Sequence, residues 1–399
     1  MAGPLAGINV VEMGVWVAGP SCAAILADWG ANVVKIEPPE GDPFRGLFAS
    51  LLDVPANPPF ELDNRGKRSI ALNLDNGEGR AIAHRLIDGA DVFVSNMRPR
   101  VLAKFGFSYT ACAARNPRLI YCQVNGYGVE GDDANRAAYD VGAFWSRGGV
   151  AASLMPGHAG EPPQQRGGMG DHMTGANAAG AISAALFNRE RTGQGQMVAV
   201  SLLRVGAYMM GWDLNTQLRF GTLAPPYDRR HAPNPLINSF QDRDGRWFWL
   251  LLLQGDRHWP DLLAALGARH LGDDPRFADI KSRLENSEAV VAALDAVLRT
   301  KSLAEWGPVF DAHNVWFAPV QTLTELAADP VAEAAGCFVR MDAPEGPVRQ
   351  VATPATFYGT PVEPHAWAPE LGQQTEEVLL ELGYDWDRIA SLKEEGAIP

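Results

Sequence analysis

The first 130 residues alternate between short apolar runs and amphipathic stretches. Residues 8–14, INVVEMG, predict a strand, the small apolar residues 21–30 predict a helix, and residues 32–39 predict a second strand. The same order continues with strands predicted at 69–74, 91–96 and 118–128 and helices predicted at 78–90 and around 101–106. Strands that alternate with helices indicate an α/β fold with a doubly wound, Rossmann-like parallel sheet.

The pattern changes in the second half of the chain. Small residues dominate positions 174–186, which predicts a buried central helix that comes close to neighbouring backbone. Residues 219–238 are rich in Pro, Arg and Asn and lack a periodic pattern, which indicates a loop at a domain boundary. A strand at 244–253 and helical stretches within 256–312 then predict a smaller α+β domain.

Composition narrows the possible partners. The chain has 399 residues and a formal net charge of −13, so it lacks the basic field that draws a protein to nucleic acid or to an anionic membrane. The longest apolar run is too short to span a bilayer and the N-terminus has no signal-peptide pattern, so we expect a cytoplasmic protein. The four cysteines form no C-x-x-C pair, which favours reduced thiols over a metal site.

Most nucleotide and catalytic motifs are missing. The chain has no P-loop, no G-x-S-x-G elbow and no H-E-x-x-H, and a G-x-G-x-x-G at Gly126, Gly128 and Gly131 runs into Asp132 and Asp133. Two carboxylates would repel a diphosphate, so these glycines are interpreted as a turn. We predict neither a nucleotide cofactor nor a metal, and any phosphate-bearing ligand must be held by a local cluster of Lys and Arg.

One carboxylate in the segment GMGDHMTG has two interpretations. Asp171 lies just before a helix predicted to start near Thr174, where its side chain could cap the helix. The same helix end would also keep Asp171 ionised and nucleophilic near neutral pH, while glycines 167, 168 and 170 would let a substrate approach. A second acid, Asp140, is by itself interpreted as a cap. Local chemistry leaves both roles of Asp171 open.

Seven segments carry a resemblance that covers essentially the whole chain. The sequence resembles class III CoA-transferases of the formyl-CoA and carnitine CoA-transferase type, a superfamily shared with α-methylacyl-CoA racemase. The matching segments are VAGPSCAAILADWGANVVKIEPPEGD (17–42), NRGKRSIALNL (64–74), VSNMRPRVLAKFGF (94–107), NPRLIYCQVNGYG (116–128), YDVGAFWSRGG (139–149), MGDHMTGANAAGAISAALFNRERTGQGQMVAVSL (169–202) and PELGQQTEEVLLELGYD (369–385).

This resemblance implies an interlocked homodimer in which two linkers join a large CoA-binding domain to a small one. The bounds expected here are a large domain over 1–205, a linker over 206–225, a small α+β domain over 226–320, a second linker over 321–350 and a C-terminal segment, 351–399, that returns to the large domain.

The resemblance also implies the chemistry. Asp171 occupies the place of the family's nucleophile, which takes the acyl group from a donor acyl-CoA, becomes an aspartyl-CoA thioester and passes CoA to an acceptor carboxylic acid. Asp140 is carried over as a second catalytic residue. The CoA-binding positions implied are Val17, Ala18, Leu72, Asn96, Met97, Arg98, Lys104 and Tyr139, with Lys67, Arg68 and Arg100 nearby as a positive patch for the phosphates.

The sequence departs from the family pattern at several positions, so alternative functions stay open. Val17, Pro38 and Asp75 differ from the residues of formyl-CoA transferases, so formate and oxalate are not the expected acids. Tyr139 stands where the racemase branch has the histidine that works as a base. The alternatives are an acyl-CoA racemase or isomerase, and a non-catalytic CoA-binding subunit.

An aromatic cluster suggests the acyl group. The candidates for an apolar acyl pocket are Trp145, Tyr208, Met209, Met210 and Trp212, which would suit a larger or aromatic acid, although such residues are more often part of a core.

Overall fold

The computed structural model describes residues 3–47, 54, 56–155, 160–223, 228–362 and 366–399. Its strands are β1 (Asn9–Met13), β2 (Asn32–Glu37), β3 (Lys67–Ala71), β4 (Val92–Ser95), β5 (Ile120–Asn125), β6 (Gln196–Ser201), β7 (Ile237–Gln241), β8 (Trp247–Leu251), β9 (Phe317–Pro319), β10 (Phe338–Ala343) and β11 (Gly346–Val351).

Its helices are α1 (Ala18–Asp28), α2 (Pro58–Asn64), α3 (Gly77–Asp88), α4 (Pro99–Lys104), α5 (Tyr109–Arg115), α6 (Val150–Ser153), α7 (Met169–Thr192), α8 (Leu202–Met209), α9 (Gly211–Phe220), α10 (Gly255–Leu266), α11 (Ile280–Glu285), α12 (Ser287–Leu298), α13 (Leu303–Ala312), α14 (Leu323–Ala328), α15 (Pro330–Ala334), α16 (Thr375–Glu381) and α17 (Trp386–Glu394). A π-helix, Val141–Ser146, precedes α6.

Six strands form one parallel sheet in the order β3-β2-β1-β4-β5-β6. The predicted doubly wound, Rossmann-like sheet is therefore confirmed. The sequence patterns did not predict β6, which is half-buried at the edge of the sheet. They also did not predict the antiparallel hairpin of β10 and β11.

The chain divides into two compact units. The first contains Met1–Leu154, Pro162–Thr222 and Glu333–Pro399, and the second contains Met155–Glu161 and Leu223–Ala332. The second unit has an antiparallel sheet in the order β7-β8-β9 and helices around its own apolar core, as a small α+β domain would. The predicted domain and linker bounds stay a prediction, and residues 224–227, at the predicted start of the small domain, lie outside the described residues.

The central helix α7 packs closely against α1. Gly175 permits this contact, because a Cβ at that position would collide with the Ser21 side chain and lie 2.9 Å from the Cys22 backbone nitrogen. The prediction that small residues bring this helix near neighbouring backbone is confirmed. The packing also fixes where the first turn of α7 stands relative to the sheet.

A layer of buried charges lies in the first three strands. Glu12 and Lys35 are register partners on β1 and β2, and their side chains form an ion pair of 3.0 Å. Lys67 of β3 lies 2.6 Å from the other oxygen of Glu12, and Asp42 lies 3.1 Å from Lys35. Buried charges are tolerated when they are paired in this way.

Candidate active site

The sheet reverses its winding direction between β1 and β4, and the loops that follow these strands meet there. Asn96 joins the two loops: its Oδ1 accepts the Val15 N–H at 3.0 Å and its Nδ2 donates to the Val15 carbonyl at 2.7 Å. In open α/β sheets, ligands bind at the carboxyl ends of the strands at such a switch point.

A cavity of about 380 Å³ opens at this point, and we call it the Asp171 cavity. A second cavity of about 270 Å³, the Leu72 cavity, shares Val15 and Met97 with it. Seven of the predicted site residues line the Asp171 cavity, namely Ala18, Asn96, Met97, Arg98, Tyr139, Asp140 and Asp171.

The remaining predicted residues lie at different places. Leu72 lines the Leu72 cavity together with Asp75. Lys104 lines neither cavity, but its ammonium group lies 3.0 Å from the Asp75 carboxylate. Val17 also lines neither and instead begins α1, where its carbonyl accepts the Ser21 N–H at 2.7 Å.

Trp16 contributes a wall of the Asp171 cavity that the sequence patterns did not indicate. Its backbone has φ of 65°, a left-handed conformation that is uncommon for a bulky residue. Asp42 holds this conformation by accepting the Trp16 N–H at 3.0 Å. The indole ring packs edge-to-face against Tyr139, with ring centroids 5.9 Å apart.

Asp140 supplies the capping carboxylate of α7. Its Oδ2 accepts the Gly170 N–H at 2.9 Å and the Asp171 N–H at 3.3 Å, which satisfies two donors that a helix start leaves free. The helix begins at Met169 and not near Thr174, so the prediction that Asp171 stands before the helix as its cap is wrong. Asp171 lies instead inside the first turn.

The glycines before Asp171 have a different role from the predicted one. A Cβ at Gly170 would collide with Asp140 and with the ring of Phe144, so this glycine makes room for the capping carboxylate. Gly168 is the residue before the helix and has φ of 77°. These two glycines shape the start of α7, and Gly167 has open space around it.

The Asp171 side chain forms no hydrogen bond or ion pair within the part of the chain that the structure describes, although it lines the cavity. Burial, together with the negative charge of Asp140, raises the pKa of Asp171 to about 7, and the charge of His172 opposes the rise. The raised pKa leaves Asp171 only partly ionised near neutral pH, because desolvation and the neighbouring Asp140 carboxylate favour its protonated form.

His172 and Asp63 form a pair next to Asp171 that sequence reasoning missed. The His172 Nε2 lies 3.0 Å from Oδ1 of Asp63, a buried residue in the last turn of α2. More than a hundred residues separate the two in the chain, so no local motif could reveal the contact.

Two members of the predicted positive patch, Lys67 and Arg68, are paired with carboxylates of this chain. Lys67 is buried and paired with Glu12, and Arg68 donates to Glu377 at 3.1 Å and Glu381 at 2.7 Å. The cationic side chains that do line the Asp171 cavity are Arg98, which was predicted, and Arg136, which was not.

The aromatic cluster proposed for the acyl pocket is not at the Asp171 cavity. Trp145 is buried and its indole N–H donates to the Pro163 carbonyl at 3.1 Å. Tyr208 of α8 and Trp212 of α9 are exposed. The aromatic side chains at the cavity are Trp16 and Tyr139.

Neither a metal-binding cluster nor a membrane-spanning helix is found among the described residues. No group of three or more His, Cys, Asp and Glu side chains there is arranged to hold a metal ion. None of the helices in those ranges combines the length and the apolar character needed to cross a membrane.

The chain belongs to CoA-transferase family III, whose family model matches residues 5–375. It is 34% identical over 394 residues to the (R)-2-hydroxy-4-methylpentanoate CoA-transferase of Clostridioides difficile, which covers 98% of each chain. It is 31% identical over 395 residues to the cinnamoyl-CoA:phenyllactate CoA-transferase of Clostridium sporogenes, which covers 98% of this chain and 96% of that one.

A solved structure has the same fold. The crystal structure of a CAIB/BAIF family protein from Brucella suis matches with a TM-score of 0.83 and 30% identity, over 96% of this chain and all of that one (100%). The predicted family and the predicted enzyme class are thus confirmed, and the protein is a CoA-transferring enzyme with acyl-CoA and carboxylate substrates.

Proposed function

We propose that this protein is an acyl-CoA:carboxylate CoA-transferase that uses Asp171 as a covalent nucleophile. The observation that carries the proposal is a carboxyl group on the wall of the switch-point cavity, without a hydrogen-bond partner among the described residues. Asp140 holds the backbone of that same residue by accepting its N–H, which fixes the nucleophile in position.

The reaction needs no other group to balance it. An oxygen of ionised Asp171 attacks the thioester carbon of the donor acyl-CoA, the C–S bond breaks, and CoA leaves as the thiolate. The thiolate then attacks the Asp171 carboxyl carbon of the mixed anhydride and releases the donor as a carboxylate. The acceptor carboxylate then attacks the carbonyl carbon of the aspartyl-CoA thioester, which forms a second mixed anhydride and releases the CoA thiolate. The thiolate attacks the acceptor's carbonyl carbon in this anhydride, so the acceptor acyl-CoA forms and Asp171 is released as a carboxylate.

The two adjoining cavities suit the two parts of an acyl-CoA. We propose that the thioester end occupies the Asp171 cavity and that the rest of CoA passes Val15 and Met97, which both cavities share, into the Leu72 cavity. Arg98 and Arg136 at the first cavity and Lys104 beside the second are the cations proposed to meet the phosphates.

We propose an apolar, branched or aromatic acyl group. Trp16 and Tyr139 give the Asp171 cavity an aromatic wall. Two relatives act, by name, on a branched hydroxy acid and on cinnamoyl-CoA with phenyllactate, which supports the same class of acid.

A homodimer is proposed as the working form. Helix α9 has no buried residue, and Trp212, Leu218 and Phe220 on it are 89%, 75% and 69% exposed. A second copy of this chain would cover these apolar side chains. The free, buried thiols Cys22, Cys112 and Cys122 are typical of a reducing compartment and support the proposed cytoplasmic location.

The test offers the enzyme a set of carboxylic acids with acetyl-CoA or succinyl-CoA and follows each new acyl-CoA by mass. Hydroxylamine added during turnover should convert Asp171 to its hydroxamate, located by peptide mass spectrometry. Full transfer activity in Asp171→Ala would overturn the proposal. Deuterium exchange at the α-carbon of the acyl group without any acceptor acid would instead support the racemase or isomerase alternative.

A further inference from the structure

His172 lies beside the proposed nucleophile, held between two elements. It follows Asp171 in the first turn of α7, and its Nε2 contacts Asp63 Oδ1 at 3.0 Å. The other side of the ring lies against Gly168, where an added Cβ would come within 3.1 Å of His172 Cε1. The ring thus lies between Asp63 and the backbone of Gly168, with 42% of the His172 side chain exposed.

Asp63 is buried, and His172 is the side chain that forms a hydrogen bond with it. Only 1% of the residue is exposed, and its Oδ2 has no hydrogen bond to a described residue. The nearest buried cation of the first strands, Lys67, is matched by Glu12 at 2.6 Å and donates to Asn64 at 3.0 Å. Burial raises the pKa of Asp63, and the hydrogen bond and charge of His172, with the charge of Lys67, oppose that rise, so His172 is the contacting group that favours the Asp63 carboxylate.

The surrounding charges favour the protonated imidazole. Burial disfavours the imidazolium, but the hydrogen bond and charge of Asp63, with the charges of Asp171 and Asp140, together raise the pKa of His172. These charged groups come from three elements, since Asp63 belongs to α2, Asp171 belongs to α7 itself and Asp140 is the residue before the π-helix. The charges of Lys67 and Glu12 act in turn on Asp63.

We propose that His172, oriented by Asp63, is a positioning residue that keeps a positive charge next to Asp171 and thereby allows the nucleophile to ionise in a buried site that it shares with Asp140. This inference rests on the proposed role of Asp171. It adds a role for His172 and Asp63, which the comparisons do not assign. A purely structural pair would tie α2 to α7 without affecting ionisation.

The experiment compares His172→Gln and Asp63→Asn with the wild-type enzyme. Asp228→Asn is a matched control, because His231 and Asp228 form a similar pair at 2.9 Å that is exposed and lies in the second unit. In His172→Gln the acid limb of kcat/KM should move to higher pH by about one unit, and the rate above the limb should stay within about threefold of wild type. Asp228→Asn should leave the profile unchanged.

Nuclear magnetic resonance provides a readout that does not depend on activity. The imidazole signal that disappears in His172→Gln identifies His172, and its midpoint should lie above the usual histidine value near 6.5. In Asp63→Asn this midpoint should fall by about one pH unit. If Asp63→Asn does not fold, His172→Gln still decides the question.

A uniform loss of rate in His172→Gln without movement of the acid limb would overturn the inference and leave a structural role. A His172 midpoint unchanged by Asp63→Asn would also overturn it. In either case the Asp171 hydroxamate would still form if the proposed function is right. Absence of the hydroxamate in the wild-type enzyme would contradict the proposed function itself.

Discussion

Two cavities lie at opposite ends of the strands of the parallel sheet. The Asp171 cavity of about 380 Å³ is at the carboxyl ends of β1, β4 and β5. The larger one, about 590 Å³, is lined by the first residues of β2 and β3 and by residues near Trp367, and we call it the Trp367 cavity. Its cation Arg68 is paired with Glu377 and Glu381, whereas Asp171 has no such partner within the described residues. A carboxyl group without a partner at the switch point therefore indicates the catalytic site better than the volume of a cavity does.

The largest expected effect is the loss of the nucleophile. Asp171→Ala should lower the transfer rate by about 10³-fold or more, because Asp140, the other carboxylate on the cavity wall, is held by the N–H groups at the start of α7. The rate and the hydroxamate yield are measured together. Glu377→Gln, in the Trp367 cavity, is the control and should change the rate by less than about twofold. An equal loss in both variants would contradict the comparison of the two cavities.

The pH dependence of kcat/KM should also identify the Asp171 cavity, and not the Trp367 cavity, as the catalytic one. With a pKa of about 7, Asp171 is protonated below neutral pH and cannot attack, so kcat/KM should rise as pH rises through about 7. Between pH 7 and pH 5 the expected fall is about 50-fold, since about half of Asp171 is ionised at pH 7 and only about 1% at pH 5. Steady-state rates over pH 5 to 9 measure it. A flat profile over that range would be incompatible with a nucleophile of raised pKa.

The shape of the helix start can be tested with matched glycines. Gly170→Ala places a methyl group against Asp140 and Phe144 and should lower the rate by about 10- to 100-fold by displacing the first turn of α7. Gly167→Ala adds the same group in open space and should change the rate less than about twofold. Circular dichroism checks that both variants fold. Equal rates in the two variants would show that the close contact of Gly170 with Asp140 does not shape the active site.

Ionisation of Asp171 should lower the stability of the protein as pH rises, whereas ionisation of a salt-bridged aspartate raises it. The folded-state pKa of Asp171 is raised from 3.8 to about 7, so the native state prefers the proton and loses stability as pH rises between those values. Asp171→Asn, which resembles the neutral acid, should therefore be more stable than wild type at pH 8 by about 4 kcal/mol. Urea unfolding should find this difference at pH 8 and little of it at pH 4. A constant difference at both values would mean that ionisation of Asp171 is not its cause.

The smallest effect is expected at the rim of the Leu72 cavity. Lys104 forms an exposed ion pair with Asp75, and Lys104→Ala should raise the KM for acyl-CoA about two- to fivefold at low salt. High salt should reduce the difference. Arg118→Ala removes a comparable exposed cation, paired with Glu190, and should leave KM unchanged. A KM for Lys104→Ala equal to that of wild type would exclude Lys104 as a phosphate contact.

Sequence patterns went furthest where a local signal exists. The apolar runs that became β1, β2 and β4 predicted the parallel sheet, because strands buried on both faces need continuous apolar residues. The family and the enzyme class also followed from segments spread along the chain. By contrast, Lys67 was predicted to belong to a positive patch for the phosphates, and nothing near it in the sequence indicates that it pairs with Glu12 on another strand.

The sequence by itself determined the alternation of strands and helices in the first 130 residues, the small residues of α7, and the presence of Asp171 and Asp140. Only the tertiary structure decided what these acids do: Asp140, 30 residues before Gly170, caps the helix in place of Asp171. Folding also brought Asp63 to His172 across 109 residues. Periodicity reports which face of an element is buried, but the partner of a buried charge is set by packing between elements that are distant in the chain.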